Sequence, residues 1–423
     1  MKLGQIIEGS GARIIGGTPE TEIGSICSDS RKVTAGALFI AVKGSAVDGH
    51  DFIGAAMEAG AAAVVSADRN GLAVCADNFY EHPSRNLTLV GITGTNGKTT
   101  TVTLLYRMFM SMGYNCGLLS TIANFVGTRQ TPTTNTTSDP ITINSLMAQM
   151  VEQGCEYCFM EVSSIGVEQE RIAALRFKVA IFSNLTHDHL DYHGTFAEYL
   201  RCKKLFFDRL PADAVAITNI DDRNGMVMVQ NTAAKVMTYS CKSIADHSCR
   251  ILEESFEGML LRIDGTEVWV RLIGQHNAYN LLAIYCAALA AGARSDEALL
   301  ALSTLESAPG RLENIRGPRD LSVIIDYAHT PDAMENVLGT LREIAPEKEL
   351  ICVFGCGGDR DKTKRPEMAA VAQKWADRIF VTSDNSRTEK TEDILNDIRA
   401  GFDAEGLRNA LFIADRREAI RTA

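Results

Sequence analysis

The sequence has no long apolar run and no excess of positive charge. Across its 423 residues, no window offers the roughly 18 consecutive apolar residues of a membrane-spanning helix. The start of the chain lacks the apolar core of a secretory signal. The formal net charge of -11 argues against nucleic acid or a membrane surface as the main partner. These absences predict a cytoplasmic protein that binds no nucleic acid and does not insert into a membrane.

Cysteine is present but forms no metal-binding pattern. Cys155 and Cys158 form a Cys-x-x-Cys pair, yet no second pair or histidine follows at zinc-finger spacing. The other cysteines are scattered, and several, such as Cys286 and Cys352, lie in apolar runs. They are typical of reduced core residues in a cytosolic protein.

The chain is too long for one ordinary hydrophobic core, so several domains are expected. Strand-like runs alternate with helical patterns, which predicts an α/β fold. Glycine and proline punctuation divides the sequence into three predicted domains, 1–86, 87–315 and 316–423. Short strand-like runs of the first domain are Leu38–Val42 and Ala62–Ser66.

The central segment predicts a parallel sheet with a small β extension. Continuous apolar runs are typical of strands that are buried on both faces. Three such runs are Leu87–Thr93, Val179–Leu185 and Ala214–Asn219. A helix at Phe196–Leu210 is expected to cross between two of these strands. Further on, Asp264-Gly265 between two apolar runs predicts a β-hairpin appended to the sheet.

The third segment predicts a Rossmann-like domain that restarts the α/β pattern. Its expected strands are Leu321–Tyr327, Glu349–Phe354, Arg378–Thr382 and the shorter run Leu411–Ala414. A doubly wound sheet usually has further strands. Because the sequence stops soon after the fourth run, we expect this domain to be incomplete at its C-terminus.

The strongest motif is a P-loop, in which an apolar strand leads into a glycine-rich turn and then a helix. Gly94 and Gly97 allow a tight turn whose backbone N–H groups point inward. Lys98 adds a positive charge for the β- and γ-phosphates, and the Thr99 hydroxyl can ligate magnesium. The motif predicts nucleotide phosphate binding, but a kinase, a GTPase and a ligase all remain open.

A second group of polar residues predicts a metal site beside this loop. Glu161 stands at the end of a strand-like run, where a carboxylate is well placed to hold magnesium. The stretch from Asn184 to Gly194 contains three histidines and two aspartates. Zinc is the competing metal, but the histidine spacing is not His-Glu-x-x-His and no thiolates join. The pattern therefore favours magnesium beside ATP.

Seven motifs together resemble the Mur ligase family, in order and over nearly the whole chain. They are Gly94–Thr100, Glu161–Ser164, Asp188–Gly194, Gly274–Asn280, Pro309–Arg311, Asp326–Asp332 and Gly355–Asp361. The last two resemble the branch of the family that makes UDP-N-acetylmuramoyl-tripeptides. Asp29-Ser30-Arg31, with Ala35–Phe39, is similar to the UDP-binding domain of that branch.

This resemblance implies an ATP- and Mg²⁺-dependent ligase of peptidoglycan synthesis that acts as a monomer. ATP would phosphorylate the free carboxylate of UDP-MurNAc-L-Ala-D-Glu to an acyl phosphate. The amine of meso-diaminopimelate would then attack, and phosphate would leave. In such a reaction the protein contributes positioning and electrostatic stabilisation of the transferred phosphoryl group.

Matching positions imply the residue roles. Lys98 would hold the β- and γ-phosphates, Thr99 and Glu161 a first magnesium ion, His189 a second, and Lys203 would be a carbamylated metal ligand. Nucleotide contacts would come from Gly94, Thr95, Asn96, Gly97, Lys98, Thr99, Thr100, Asn280, Arg311 and Asp326. The muramoyl peptide would contact Ser30, Thr136, Thr137, Ser163, Gln169 and Arg171.

The acceptor amino acid is implied by the third domain. Asp384-Asn385-Ser386-Arg387 resembles the Asp-Asn-Pro-Arg motif of members that add meso-diaminopimelate. A guanidinium suits the distal carboxylate of that substrate, whereas lysine would bring an ammonium group there. Arg360 falls where a second contact to diaminopimelate is expected.

Three positions depart from the family pattern: Ser138 and Ser386 replace prolines, and Ile165 replaces a histidine. The chain also ends before the Gly-Lys-Gly-His-Glu-like segment that members use to close the acceptor pocket. Two alternatives therefore stay open, an L-lysine-adding ligase and a catalytically impaired Mur-like nucleotide-binding protein. Folylpolyglutamate synthase, a relative with the same P-loop, is not expected to carry the Asp29–Arg31 domain.

Overall fold

The computed structural model describes residues 1–44, 47–133, 135–186, 190–318 and 321–423. Its contacts divide the chain into two compact units. The first comprises Met1–Leu185, Tyr199–His247 and Leu282–Leu302, and the second comprises Thr186–Glu198, Ser248–Leu281 and Ser303–Ala423. No helix within the described residues is both long and apolar enough to cross a membrane.

The N-terminal part of the first unit is a small mixed sheet. Its strands are β1 (Arg13–Gly16), β2 (Ser25–Cys27), β3 (Ala37–Val42) and β4 (Ala63–Ala67), in the order β1-β4-β3-β2. Its helices are α1 (Leu3–Ile6), α2 (Ile53–Glu58) and α3 (Arg69–Phe79). Only β1 is antiparallel to its neighbour. Both predicted strands, β3 and β4, are confirmed within a residue at each end.

The central sheet of the first unit places the P-loop strand in its middle. Its strands are β5 (Thr88–Thr93), β6 (Cys116–Leu119), β7 (Asn124–Val126), β8 (Arg129–Thr131), β9 (Tyr157–Glu161), β10 (Val179–Phe182), β11 (Val215–Asn219) and β12 (Lys235–Ser240), in the order β12-β11-β10-β5-β9-β6-β7-β8. Pairing is parallel from β12 to β6, and antiparallel for β7 and β8. The carboxyl ends of the parallel strands therefore meet at one edge, where ligands bind in such sheets.

Helices follow most strands of this sheet. They are α4 (Lys98–Ser111), α5 (Pro140–Glu152), α6 (Ser164–Glu168), α8 (Phe196–Asp208) and α9 (Gly225–Met228), while α7 (Leu190–His193) belongs to the second unit. The predicted helix at Phe196–Leu210 is confirmed as α8. The strand predicted at Val179–Leu185 ends earlier, at Phe182, because the next residues turn to bond the P-loop.

The second unit contains an antiparallel meander, β13 (His247–Ser255), β14 (Gly258–Ile263) and β15 (Thr266–Val270). Asp264 (φ +46°) and Gly265 (φ +88°) form its tight turn. Two positive φ angles are what a two-residue hairpin loop requires, so the predicted hairpin is confirmed. Of the next two helices along the chain, α10 (Gln275–Ala290) is divided between the two units and α11 (Ser295–Thr304) belongs mainly to the first.

The remainder of the second unit has two sheets. They consist of the antiparallel pair β16 (Glu313–Arg316) and β17 (Ser322–Ile325), and the parallel strands β18 (Ile351–Phe354), β19 (Arg378–Val381) and β20 (Ala410–Phe412). The helices are α12 (Pro331–Ile344), α13 (Lys364–Trp375), α14 (Thr391–Arg399), α15 (Gly406–Asn409) and α16 (Arg416–Thr422). The main core of this region forms where β18 and β19 pack against α12, α13 and α14.

One predicted strand pairs differently from the expectation. The run Leu321–Tyr327 was expected beside the other strands of the third domain, but its strand β17 pairs antiparallel with β16. A partner so close along the chain is reached with little loss of entropy. Burial also alternates along β17, unlike in a parallel strand that is buried on both faces, and Val323 is 45% exposed.

Candidate active site

The glycine-rich loop after β5 has a conformation that only glycine fits at two positions. A Cβ atom on Gly94 would lie 1.9 Å from Ser183 Oγ. Gly97 adopts φ +88°, in the left-handed region that side chains disfavour. Helix α4 begins at the next residue, Lys98. The loop thus brings backbone N–H groups and a helix N-terminus to the carboxyl edge of the central sheet.

The residues that follow β10 fix the shape of this loop. Asn184 accepts hydrogen bonds from two successive loop amides, from Thr95 N to its backbone oxygen at 2.8 Å and from Asn96 N to its Oδ1 at 2.9 Å. Ser183 Oγ donates to Asn96 O at 2.7 Å. Thr100, the last predicted nucleotide contact in the loop motif, is buried on α4.

Lys98 folds back over the loop. Its Nζ donates to Gly94 O and to Thr95 O, both at 2.9 Å. The ammonium group is therefore held among the loop carbonyls, within reach of an anion that binds the loop amides. This is the position that a phosphate-binding lysine requires.

Glu161 at the end of β9 is a completely buried carboxylate, with 0% of its surface exposed. Its Oε2 accepts from Thr99 Oγ1 at 3.0 Å, and its Oε1 accepts from Thr121 N at 2.7 Å. A buried carboxylate is costly without such donors. Carboxylate and hydroxyl oxygens at the foot of a P-loop are also the ligands that Mg²⁺ prefers, so this pair fits the predicted metal.

Lys203 on α8 lies beside the glycine-rich loop rather than on the surface. Only 1% of its surface is exposed, and its Nζ donates to Gly94 O at 2.8 Å. The ammonium group lies 4.7 Å from the centre of the Tyr199 ring, whose hydroxyl is 3.1 Å from Thr95 Oγ1. The neighbouring Lys204 instead pairs with Asp208, at 2.5 Å.

Five of the six predicted peptide-binding residues belong to one network that begins at Glu161, namely Thr136, Thr137, Ser163, Gln169 and Arg171. Thr137 Oγ1 donates to Glu161 O at 2.9 Å and accepts from Ser163 N at 3.0 Å. Arg171 donates to Thr137 O and, through Nη2, to Gln169 Oε1 at 2.7 Å. Ser30 begins a short 3₁₀ helix near the small N-terminal sheet.

Thr121 joins this network, although no motif in the sequence singles it out. Besides the bond from its amide to Glu161, its Oγ1 donates to Thr136 Oγ1 at 3.1 Å. Thr121 lies just after β6, at the carboxyl edge where the other site residues gather. Its position after a parallel strand was the available signal, but β6 itself was not predicted.

The second unit holds the other predicted nucleotide contacts. Asp326 accepts from Leu312 N at 2.8 Å and from Ala328 N at 2.7 Å, and burial raises the pKa of its carboxyl. The Arg311 guanidinium lies 4.8 Å from the centre of the Tyr327 ring. Arg311 and Asp326 therefore lie close together, because the neighbour of each in the sequence, Leu312 or Tyr327, contacts the other.

Two further predictions concern Asn280 and His189. Asn280 is buried on α10, and its Nδ2 donates to Asn277 Oδ1 at 3.1 Å. His189, the predicted ligand of a second magnesium ion, lies outside the described residues. Within the described residues, no cluster of three or more His, Cys, Asp or Glu side chains could hold a metal.

The predicted acceptor residues lie on two neighbouring loops. The β18 loop comprises residues 355–361, and the β19 loop comprises residues 384–389. Gly358 N donates to Asn385 O at 2.9 Å, and the Arg387 guanidinium donates to Gly358 O. Arg360 and Asp384 are exposed. The parallel pairing of β18 and β19 thus brings the four predicted residues to one edge.

Family comparisons cover most of the chain. Residues 22–90 match the Mur ligase family, catalytic domain. Residues 92–288 match the Mur ligase middle domain, and residues 310–423 match the Mur ligase, glutamate ligase domain.

Individual relatives are similar over nearly their whole length. Proteins named UDP-N-acetylmuramoyl-L-alanyl-D-glutamate--2,6-diaminopimelate ligase are 49% identical in Phocaeicola vulgatus and 50% identical in Parabacteroides distasonis, each covering 100% of this chain and 91% of the relative. A solved structure of a ligase of that name is 32% identical, with a TM-score of 0.73, and covers 100% of this chain and 90% of the other. The chain therefore belongs to the Mur ligase family.

Proposed function

We propose that this chain is an ATP-dependent ligase that adds meso-diaminopimelate to UDP-MurNAc-L-Ala-D-Glu in peptidoglycan synthesis. The observation that carries the proposal is the convergence of Lys98, Lys203 and the Thr99–Glu161 pair on one glycine-rich loop. Relatives at 49% and 50% identity that bear the diaminopimelate ligase name support the choice of substrates.

The P-loop would bind the phosphates of ATP. The N-terminus of α4 places a positive partial charge at this loop. Lys98 would exchange its two carbonyl partners for phosphate oxygens, since an ammonium group binds an anion more strongly than a neutral carbonyl. A first magnesium ion, held by Thr99 and Glu161, and a second, held by His189, would neutralise charge on the transferred phosphoryl group.

The muramoyl peptide would lie against the network of Thr136, Thr137, Ser163, Gln169 and Arg171. One glutamyl carboxylate oxygen would attack the γ-phosphorus atom of ATP, and ADP would leave. The acceptor amine would then attack the carboxyl carbon of the acyl phosphate. Inorganic phosphate would leave with the oxygen that the carboxylate had supplied. The protein's own share is to orient these groups and to exclude water.

Lys203 would act as a carbamate, as the family resemblance implies. An unmodified ammonium group so close to a magnesium ion would be repelled by it. After the ammonium group loses a proton, the neutral amine would add to CO₂ and release a second proton, which leaves a carbamate, an anionic oxygen ligand of the type that Mg²⁺ prefers. The burial of the side chain against Tyr199 would hold the modified group at the phosphate loop.

The acceptor would be selected by Arg387 and Arg360. Their guanidinium groups suit the carboxylate that meso-diaminopimelate carries at its far end and that lysine lacks. The proposal also includes a monomeric enzyme, because one chain carries every residue with an assigned role. It further includes three domains at 1–86, 87–315 and 316–423, and a reaction in the cytoplasm, where ATP is made available.

Phosphate release by the purified chain tests this proposal. With ATP, Mg²⁺ and UDP-MurNAc-L-Ala-D-Glu, release is expected on addition of meso-diaminopimelate but not of L-lysine. The variant Arg387→Ala should raise KM for diaminopimelate roughly tenfold or more, the effect of losing a charge-assisted pair. Phosphate release with lysine alone would overturn the acceptor assignment. No phosphate release with either amino acid would overturn the proposal that the chain is a ligase.

A further inference from the structure

The β18 and β19 loops are joined by a set of hydrogen bonds beyond the contacts of the predicted acceptor residues. Asp359 accepts at its two carboxylate oxygens from Thr388, with Oγ1 at 2.7 Å and the backbone N at 3.2 Å. Asp359 N in turn donates to Glu389 Oε1 at 2.6 Å. Each loop therefore supplies a carboxylate that binds backbone of the other.

We call the place where these hydrogen bonds join the β18 and β19 loops the junction. A buried guanidinium lies beneath it. Arg365 on α13 has only 1% of its surface exposed. Its Nη1 and Nη2 donate to the two oxygens of Glu389 at 3.0 and 2.8 Å, and Nη2 also reaches Gly357 O at 3.2 Å. Nη1 donates further to Asp397 Oδ2 on α14 at 2.7 Å. One side chain thus binds both loops and the helix that follows them.

The electrostatics fit a fixed junction. A buried guanidinium is costly unless carboxylates compensate it, and Arg365 has two. Glu389 is also 3.2 Å from Lys362 Nζ. The bonds from Arg365, followed by the amide of Asp359, lower the pKa of Glu389 to about 2. The pair is therefore ionised throughout the neutral range.

The backbone at the junction is strained at two residues. Arg387 has φ +48° and Asp359 has φ +52°. Residues other than glycine hold such angles only where their surroundings fix them. Arg387 is one predicted acceptor contact, and Asp359 precedes another, Arg360. The geometry of both contacts therefore depends on what holds the junction.

We propose that Arg365 and Glu389 are positioning residues for the acceptor amino acid. By tying the β18 loop to the β19 loop, they set where the guanidinium groups of Arg387 and Arg360 meet its carboxylate. This rests on the proposed function. Neither Arg365 nor Glu389 touches the reacting atoms, so removing the charge of Glu389 should weaken acceptor binding and leave ATP binding intact.

Glu389→Gln tests this by its kinetics. The variant keeps the size of the side chain but loses its charge. KM for meso-diaminopimelate should rise roughly ten- to hundredfold, as expected when binding groups are misplaced. KM for ATP and kcat at saturating acceptor should stay within about twofold. Arg365→Lys, which keeps the charge but not the forked geometry, should show the same split.

Glu349→Gln is the matched control. Glu349 makes an exposed pair with Arg378, 3.9 Å apart, at the opposite, amino end of β18 and β19. Glu349→Gln should leave KM for meso-diaminopimelate, KM for ATP and kcat unchanged. An unchanged KM for diaminopimelate in Glu389→Gln would overturn the proposal. A rise in KM for both diaminopimelate and ATP, together with a fall in Tm, would also overturn the proposal, because these changes would show a merely structural role.

Hydrogen exchange separates this inference from the proposed function, because it needs no turnover. In Glu389→Gln, exchange should rise in peptides covering the β18 and β19 loops and stay unchanged in the P-loop. A rise spread over the whole second unit, or none, would overturn the positioning role. Inactive wild-type protein would reject the proposed function, while the exchange result would still decide whether Arg365 and Glu389 tie the loops.

Discussion

At the scale of single residues, the proposed phosphate binding depends on the charge of Lys98. Its ammonium group is held over the glycine-rich loop by two carbonyl oxygens. Lys98→Ala should lower turnover by roughly a hundredfold or more, since it removes a preorganised charge from a transferring phosphoryl group. Circular dichroism and Tm should remain near the wild-type values.

The control for Lys98→Ala is Lys178→Ala. Lys178 is an exposed lysine whose Nζ is 3.6 Å from Asp213, away from the loop. Turnover should be unchanged in this control. Near-normal turnover in Lys98→Ala itself would refute the phosphate assignment.

Lys203 offers a second test at the residue scale. If its buried amine acts as a carbamate, Lys203→Ala should lose roughly a hundredfold or more in turnover through the loss of a metal ligand. Added short carboxylates such as acetate should restore part of the activity by occupying the vacated space. Lys204→Ala, at the neighbouring lysine that pairs with Asp208, should be close to wild type. No restoration by any carboxylate would count against the carbamate.

At the scale of elements, the turn between β5 and α4 depends on Gly94. A Cβ there would collide with Ser183 Oγ at 1.9 Å. Gly94→Ala should therefore displace the loop and weaken ATP binding at least tenfold, by analogy with other site misplacements. Gly54→Ala on α2 is the matched control, because a Cβ there meets nothing within 4 Å. Equal ATP affinity in both variants, measured by calorimetry, would refute the close-approach argument.

The junction of the β18 and β19 loops should respond to acid. The pKa of Glu389 is lowered from 4.5 to about 2 in the folded protein. Its contribution to stability is therefore present above pH 4.5 and is lost as the pH falls toward 2. The difference in Tm between wild type and Glu389→Gln should shrink across that window. A difference that stays constant from pH 6 to pH 2.5 would contradict the ion pairing of Glu389.

The sequence predicted elements best where local signals agreed. The P-loop strand β5, helix α8 and the Asp264-Gly265 turn were found from apolar runs and turn residues alone. The pairing of β17 was not predicted, because an isolated apolar run does not show which strand lies beside it. β6 and β7 escaped prediction because strands of four and three residues are too short to show a clear periodicity.

The candidate site was predictable only in part. Glycine, lysine and threonine at fixed spacing predicted the tight glycine-rich loop between β5 and α4, because that signal is local. Lys203 gave no signal by itself, since its burial arises from the packing of α8 against the loop. Thr121 and Arg365 could not be selected either. Their roles depend on partners 40 and 24 residues away, Glu161 and Glu389.

At the scale of the whole molecule, one reaction accounts for three groups of residues on separate parts of the chain. The phosphate loop would activate a carboxylate, the network around Thr137 would hold the peptide, and the β18 and β19 loops would choose the amine. Each group alone occurs in proteins with other activities. Their combination in a member of the Mur ligase family gives the proposed reaction its specificity.

The most direct test of this account follows oxygen from substrate to product. UDP-MurNAc-L-Ala-D-Glu carrying ¹⁸O in its glutamyl carboxylates would be incubated with the chain, ATP, Mg²⁺ and meso-diaminopimelate. Mass spectrometry would then examine the released phosphate and the UDP-linked product. The proposed reaction would leave one ¹⁸O atom in each phosphate and a product enlarged by one diaminopimelate residue. Unlabelled phosphate with unchanged UDP-peptide would contradict it, because the chain would then only hydrolyse ATP.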